Sequence, residues 1–144
     1  LIRAVLPHMQ ARGQGLIHNV SSTVGVTGFP GIYGYVSTKG AIEGLTRTLA
    51  LECAPYGINV NIMYPPLTRT KSAEPLGIPP QMMADPEEVG RKLARKIRSR
   101  KAIVTGDFTT ALGVFMSRHF PVMMGRFMAR MTARAHREDR AARP

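Results

Sequence analysis

Apolar and polar positions follow one another along the chain in an order that predicts helices and strands in turn. Residues 1–11 have the spacing of an amphipathic helix, and residues 16–20 form a short apolar run typical of a buried strand. A loop rich in Ser, Thr, Gly and Pro is predicted over residues 21–32. A long helical pattern then covers residues 33–54, and a second strand is predicted over residues 58–63.

The pattern weakens after the second strand and then returns. Residues 64–84 contain five prolines and no regular period, so a long loop is predicted there. Asp85 and Pro86 predict the start of a helix, with Glu88 reaching back to the cap. Its inner face is predicted at three apolar positions spaced by four: Val89, Leu93 and Ile97. A third strand is predicted over residues 102–105.

Strands that alternate with helices favour an α/β fold built on a parallel sheet. Three strands are few for such a sheet, and the first helical pattern begins at Leu1 without a capping residue. We therefore expect the sheet to continue in sequence upstream of Leu1.

Charge and composition narrow the classes of partner. The chain carries 20 basic and 9 acidic residues, for a net charge of +11, and the basic residues gather in residues 91–101 and 118–140. Such clusters are typical of solvated faces and of contacts with nucleic acid or anionic lipid. An aromatic content of 6% and the lack of a recognition motif argue against nucleic acid. No stretch approaches the roughly 20 apolar residues that a membrane-spanning helix needs.

Sulfur and imidazole groups predict no further chemistry. Cys53 is the single cysteine and lies in an apolar helical run, so we expect a buried thiol without a disulfide partner. The four histidines do not have the spacing of metal ligands, and we predict no metal site.

The residues Tyr35 and Lys39 carry the strongest chemical signal. They lie four apart at the start of a predicted helix, so both project from one face. A phenol is a weak acid at neutral pH, and a nearby ammonium stabilises the phenolate. Ser22 precedes Tyr35 by 13 residues and follows a strand, at the sheet edge where α/β proteins bind ligands. A hydroxyl there can donate to a substrate carbonyl oxygen.

Together these residues resemble the active-site segment of the short-chain dehydrogenases/reductases. The resemblance rests on Asn19-Val20-Ser21-Ser22, Gly25, Pro30, Tyr35-x-x-x-Lys39 and Gly57-Ile58-Asn59-Val60-Asn61, and it covers residues 1–105 in order. It implies a Rossmann-like, doubly wound sheet whose amino-terminal, cofactor-binding half precedes Leu1. It also implies that Tyr35 exchanges the proton, that Ser22 orients the carbonyl, and that Lys39 binds the nicotinamide ribose.

The resemblance extends to the loop that follows the second strand and implies NADP or NAD as cofactor, with NADP preferred. Pro65, Thr68 and Thr70 match the loop that lies over the nicotinamide. Pro66 stands where the family usually has Gly, and Thr68 where it usually has Ile or Val. Solvated loop hydroxyls are the alternative role for the two threonines.

The chain divides into residues 1–107 as the catalytic part, residues 108–136 as a helical basic and apolar extension, and residues 137–144 as a tail predicted to be disordered. In the extension, Met123, Phe127 and Met131 recur at spacing four beside Arg126, Arg130 and Arg134. This pattern is typical of a helix packed on the enzyme or on another subunit, and a helix lying on an anionic membrane is the alternative.

These features predict a cytoplasmic oxidoreductase that interconverts a carbonyl and a hydroxyl, and peripheral contact with a membrane is the alternative location. The apolar loop residues Leu67, Leu76, Ile78, Met82 and Met83 favour a hydrophobic alcohol or ketone as substrate. The resemblance implies a homo-oligomer, since family members commonly pair through the helix at residues 33–54. The alternative is a non-catalytic fragment or pseudoenzyme that acts through its basic carboxy-terminal helix at a membrane or a partner.

Overall fold

The computed structural model describes residues 1–76 and 78–141 of the chain. Six α-helices are present among these residues: α1 (Ile2–Ala11), α2 (Val24–Thr27), α3 (Tyr33–Cys53), α4 (Pro86–Ala94), α5 (Phe108–His119) and α6 (Pro121–Ala141). Three β-strands accompany them: β1 (Gly15–Val20), β2 (Ile58–Tyr64) and β3 (Ile103–Thr105). Short 3₁₀ helices cover Ala54–Tyr56, Lys71–Leu76 and Pro80–Met82.

The three strands form one parallel sheet in the order β1-β2-β3. Ile17 lies opposite Val60 in the first pair, and Ile62 lies opposite Ile103 in the second. Parallel neighbours require crossover connections, which α3 supplies between β1 and β2, and α4 supplies between β2 and β3. The predicted α/β fold with a parallel sheet is therefore confirmed.

One face of the sheet holds the apolar core. Ile17, Ile58 and Val60 pack with Cys53 at the end of α3, and α1 covers them with partly buried side chains such as Leu6. Further along β2, a second cluster joins Ile62, Tyr64 and Val114. Because successive strand residues point to opposite faces, α1, α3 and α5 all cover the face of β2 that carries its even-numbered residues.

On the opposite face, polar side chains of β1 and β2 bind the chain segment that follows α4. The imidazole of His18 contacts the Asn61 side-chain oxygen at 2.5 Å and the backbone oxygen of Ile97 at 2.6 Å. The fully buried amide of Asn61 donates to the backbone oxygen of Ser99 at 2.9 Å. These side chains satisfy backbone carbonyls that would otherwise lose their partners near the sheet.

The structure differs from the sequence-based expectations in three places. The predicted loop at residues 21–32 contains the helix α2, which is a single turn of four residues. Helix α4 ends at Ala94, so Ile97 is 60% exposed instead of lying on its inner face. Helix α6 continues to Ala141 and so includes residues 137–141 of the segment predicted as a tail, where Ala, Arg and Glu are good helix formers. The end of that predicted tail, residues 142–144, lies outside the described residues.

Candidate active site

Two serines follow β1 at the edge of the sheet, and the structure gives them different environments. Ser21 is 2% exposed, its hydroxyl donates to the Lys39 backbone oxygen at 3.3 Å, and its N–H donates to Met63 at 2.9 Å. Ser22 is half-buried, and its hydroxyl makes no hydrogen bond within the described residues. Ser21 therefore serves the scaffold, whereas the Ser22 hydroxyl remains available to a ligand.

Tyr35 and Lys39 lie together on the first turns of α3. The Lys39 ammonium is 5.5 Å from the centre of the Tyr35 ring, and the Tyr35 side chain is 49% exposed. Lys39 also donates to the backbone oxygen of Val20 at 3.0 Å, which ties α3 to the last residue of β1. An ammonium has three N–H donors, so this bond leaves donors for a ligand. Among the described residues, the Tyr35 hydroxyl has no hydrogen-bond partner.

Close packing of α2 on α3 sets the distance between these groups and the end of β1. A β-carbon placed on Gly25 would lie 2.8 Å from the carbonyl carbon of Lys39, closer than real side chains approach. Asn19 at the end of β1 adds a second tie, donating to the Thr46 hydroxyl of α3 at 3.0 Å. Glycine at position 25 is thus a steric requirement for seating the start of α3 beside Ser22.

The loop with Pro65, Thr68 and Thr70 leaves the sheet at the same edge. β1 and β2 are parallel and paired up to Val20 and Met63, so the segments after both strands begin side by side. Thr68 donates from its hydroxyl to the Pro66 backbone oxygen at 2.7 Å and forms an isolated parallel bridge with Ala84.

The end of this loop is joined to the start of α4. The Arg69 guanidinium lies 3.3 Å from the Asp85 carboxylate, which caps α4 through the backbone N–H groups of Glu87 and Glu88. These hydrogen bonds, led by the one from Glu88, lower the pKa of Asp85 from its ordinary value. Thr70 contributes its backbone oxygen to Ala73 at the next 3₁₀ helix.

A buried polar cluster beneath this edge was missed in the sequence. Tyr64, the last residue of β2, donates to the Glu43 carboxylate at 2.6 Å, and Arg118 donates to the Tyr64 oxygen at 2.8 Å. Arg118 and Arg47 also approach the other Glu43 oxygen, at 3.5 and 3.7 Å. Burial and the hydrogen bond to Glu43 raise the pKa of Tyr64 well above its usual range. The available signal was position: Glu43 follows Lys39 by one helical turn and so shares its face.

The chain matches the short chain dehydrogenase family over residues 1–79. It is 46% identical over 69 residues to the 3-alpha-(or 20-beta)-hydroxysteroid dehydrogenase of Mycobacterium bovis, covering 48% of this chain and 26% of that protein. It is 32% identical over 120 residues to the cyclohexanol dehydrogenase of an Acinetobacter strain, covering 78% of this chain and 48% of that protein. Among solved structures, a short-chain dehydrogenase from Sphingobium yanoikuyae in complex with NADPH superposes with a TM-score of 0.64 at 25% identity.

That superposition covers 84% of this chain and 49% of the solved one, so the chain spans half or less of the length of these relatives. The matched family segment includes β1, α3 and β2, and with them Ser22, Tyr35 and Lys39. The strand order, the parallel pairing and the family match agree with one another. The chain belongs to the short chain dehydrogenase family.

Proposed function

We propose that this chain is the catalytic part of a nicotinamide-dependent oxidoreductase that interconverts a carbonyl and a hydroxyl, and that Ser22, Tyr35 and Lys39 are its catalytic residues. The observation that carries the proposal is the placement of the Lys39 ammonium 5.5 Å from the Tyr35 ring, with the Tyr35 hydroxyl unpartnered among the described residues. Ser22 adds a second unpartnered hydroxyl. It follows the end of β1, and Lys39 donates a hydrogen bond to Val20, the last residue of that strand.

Each of these groups has one task in the proposed reaction. Ser22 donates a hydrogen bond to the substrate oxygen and so polarises the carbonyl. Tyr35 gives its proton to that oxygen in reduction and takes it back in oxidation. Lys39 stabilises the phenolate that Tyr35 becomes after giving up the proton. The nicotinamide, when bound, supplies or accepts the hydride.

The residues present fit such a cofactor. Lys39 has donors left after its bond to Val20, and these suit the hydroxyls of a ribose. Pro65, Thr68 and Thr70 are the further residues we assign to cofactor binding, since their loop begins at the edge where Ser22 lies. We assign NADP in preference to NAD, and the relative from Sphingobium yanoikuyae in complex with NADPH supports this choice.

We infer a hydrophobic alcohol or ketone as substrate. Leu67 and Met82, in the segment between β2 and α4, are exposed apolar side chains that a hydrophobic ligand can cover. The two relatives named for hydroxysteroid and cyclohexanol dehydrogenation support the same class. We also infer a homo-oligomer formed through α3, where Leu45 and Leu51 are exposed.

Nucleotide binding and turnover test the proposal. NADPH and NADH binding is followed by cofactor fluorescence, and turnover is screened with hydrophobic ketones such as cyclohexanone, on the 144-residue chain and on the product of its complete reading frame. Tyr35→Phe removes the proposed acid, and Tyr33→Phe is the matched control because Tyr33 is 85% exposed on the same helix.

Turnover that Tyr35→Phe abolishes and Tyr33→Phe preserves is the expected result. Nucleotide binding without any turnover, or turnover that survives Tyr35→Phe, would refute the catalytic assignment. Binding of neither nucleotide by either form would instead favour a non-catalytic role for the chain.

A further inference from the structure

The exposed face of α6 carries two parallel stripes of different chemistry. Met123, Phe127 and Met131 form an apolar stripe and are 52%, 54% and 45% exposed. Arg126, Arg130 and Arg134 are exposed beside it and form a basic stripe. Positions spaced by four residues share one side of a helix, so both stripes follow α6 between Met123 and Arg134.

The opposite face of α6 is the one that packs on the protein. A β-carbon placed on Gly125 would lie 2.7 Å from the Thr27 backbone oxygen, so this glycine permits close contact with α2. A shallow groove against residues 27–30 is lined by Gly125 and Ala129, together with the exposed side chains of Val122 and Arg126, and Met124, Met128 and Thr132 are partly buried. The apolar stripe therefore faces away from the packed side and is half exposed within the part of the protein that the structure describes.

Charge identifies the kind of surface that would cover this face. From Phe108 to Arg134 the sequence has four arginines and no aspartate or glutamate. Within the described residues, Arg126 and Arg130 form no ion pair. Between Met123 and Arg134 this face is therefore apolar and positively charged, and the acidic residues Glu138 and Asp139 follow only in the last turns of α6. Such a segment matches a surface that has an apolar interior and negatively charged groups at its boundary with water.

A second copy and a nucleic acid each match only half of this face. A two-fold contact between identical faces would bring the basic stripes of both copies together, and like charges repel. A nucleic acid would neutralise the arginines but leave Phe127 and its apolar neighbours in contact with water. An anionic lipid surface satisfies both stripes, because apolar side chains enter the acyl boundary while arginines reach the phosphates.

We propose that α6 lies flat on an anionic phospholipid surface through its apolar and basic stripes. No helix in the described part of the chain is long and apolar enough to cross a bilayer. Since α6 packs on α2, which begins two residues after Ser22, binding in this way holds the catalytic edge of the sheet near the lipid. The proposal stands or falls independently of the catalytic one.

Vesicle co-sedimentation of the 144-residue chain tests this directly. Phosphatidylcholine vesicles with phosphatidylglycerol are compared with pure phosphatidylcholine, at low and high salt. Binding is expected only to the anionic vesicles and is weakened by salt. Replacing both Arg126 and Arg130 by Gln lowers the partition coefficient about 30-fold, since each basic residue near such a surface contributes a factor of about five to six.

The apolar stripe is tested by Phe127→Ser, which is also expected to weaken binding. Matched controls lie in the other basic segment: Arg95→Gln with Arg98→Gln for charge, and Ile97→Ser for an exposed apolar side chain. Circular dichroism of each variant establishes that α6 is intact.

Binding that the α6 variants weaken and the controls preserve is the result we expect. No binding to anionic vesicles, or equal losses in variants and controls, would overturn the proposal. Self-association that is lost in Phe127→Ser, without vesicle binding, would make a second copy the occupant.

Discussion

The hydroxyl of Tyr64 donates a 2.6 Å hydrogen bond to the carboxylate of Glu43, and both side chains are buried. This bond joins the last residue of β2 to α3, one helical turn beyond Lys39. Arg118 from α5 completes the cluster by donating to the Tyr64 oxygen at 2.8 Å. The start of the loop at Pro65 is therefore held in place relative to the helix that carries Tyr35 and Lys39.

Replacing Tyr64 by Phe should destabilise the chain by about 1–3 kcal/mol. The change keeps the ring but removes the hydroxyl, so Glu43 and Arg118 each lose a short hydrogen bond, while their own contact at 3.5 Å remains. Urea denaturation measures the effect as a lower midpoint at constant slope. Tyr56→Phe is the control, since Tyr56 is exposed and its hydroxyl makes no hydrogen bond within the described residues. Equal midpoints for the two variants would contradict a stabilising role for the cluster.

The same cluster predicts a loss of stability at high pH. Burial, together with the hydrogen bond to Glu43, raises the pKa of Tyr64 in the folded state above that of an unfolded tyrosine. The folded chain then binds more protons, so stability falls as pH rises beyond about 10. At pH near 11 the difference in free energy of unfolding between the wild-type chain and Tyr64→Phe should shrink by about 1.4 kcal/mol. A difference that does not change between neutral pH and pH 11 would show that Tyr64 ionises freely in the folded state.

The strands, the Asp85 cap and the pairing of Tyr35 with Lys39 could be predicted because each depends on residues that are close in sequence. Branched apolar runs predicted all three strands, and the cap formed by Asp85 was visible in its spacing to Glu88. The spacing of Tyr35 and Lys39 predicted that they share a helix face, and the structure brings the two side chains together. Burial of Cys53 was likewise predicted from its apolar surroundings and is confirmed.

The remaining features depend on contacts between distant parts of the chain. Glu43 and Arg118 are 75 residues apart, and no local period indicates that a helix near the carboxy terminus returns to pair with α3. The same reason explains Ile97, which continues the spacing of Val89 and Leu93 although α4 ends before it. There the chain turns so that its carbonyls can meet His18 and Asn61 on the sheet, and tertiary hydrogen bonds override the helical pattern.

Gly25→Ala should weaken the close packing of α2 on α3 near Ser22 and so destabilise the chain. The added carbon would lie 2.8 Å from the Lys39 carbonyl carbon and 3.1 Å from the Gly40 nitrogen, and both of these atoms are backbone. We expect a loss of roughly 1–3 kcal/mol in unfolding free energy, as for other overpacked positions. Gly44→Ala is the matched control, because it is in open space within α3 and should stabilise the chain by about 0.5–1 kcal/mol. Thermal melting of both variants gives the comparison, and a stabilised Gly25→Ala would rule out the close contact.

The cap at Asp85 should make stability depend on pH at the acid end. The N–H groups of Glu88 and Glu87, with Arg69, lower the pKa of the Asp85 carboxyl in the folded state. Its contribution is therefore present above the ordinary aspartate pKa of about 4 and is lost as pH falls through the lowered value. Asp85→Asn keeps a capping oxygen without the charge. Between pH 7 and pH 3, the urea midpoint of the wild-type chain should therefore fall by more than that of Asp85→Asn. At pH 7 the Asp85→Ala variant should be less stable than both the wild-type chain and Asp85→Asn. Glu74→Gln is the control and should be as stable as the wild-type chain, because Glu74 is exposed and has no described partner. An Asp85→Asn variant that follows the wild-type acid profile would show that the loop and α4 do not depend on this charge.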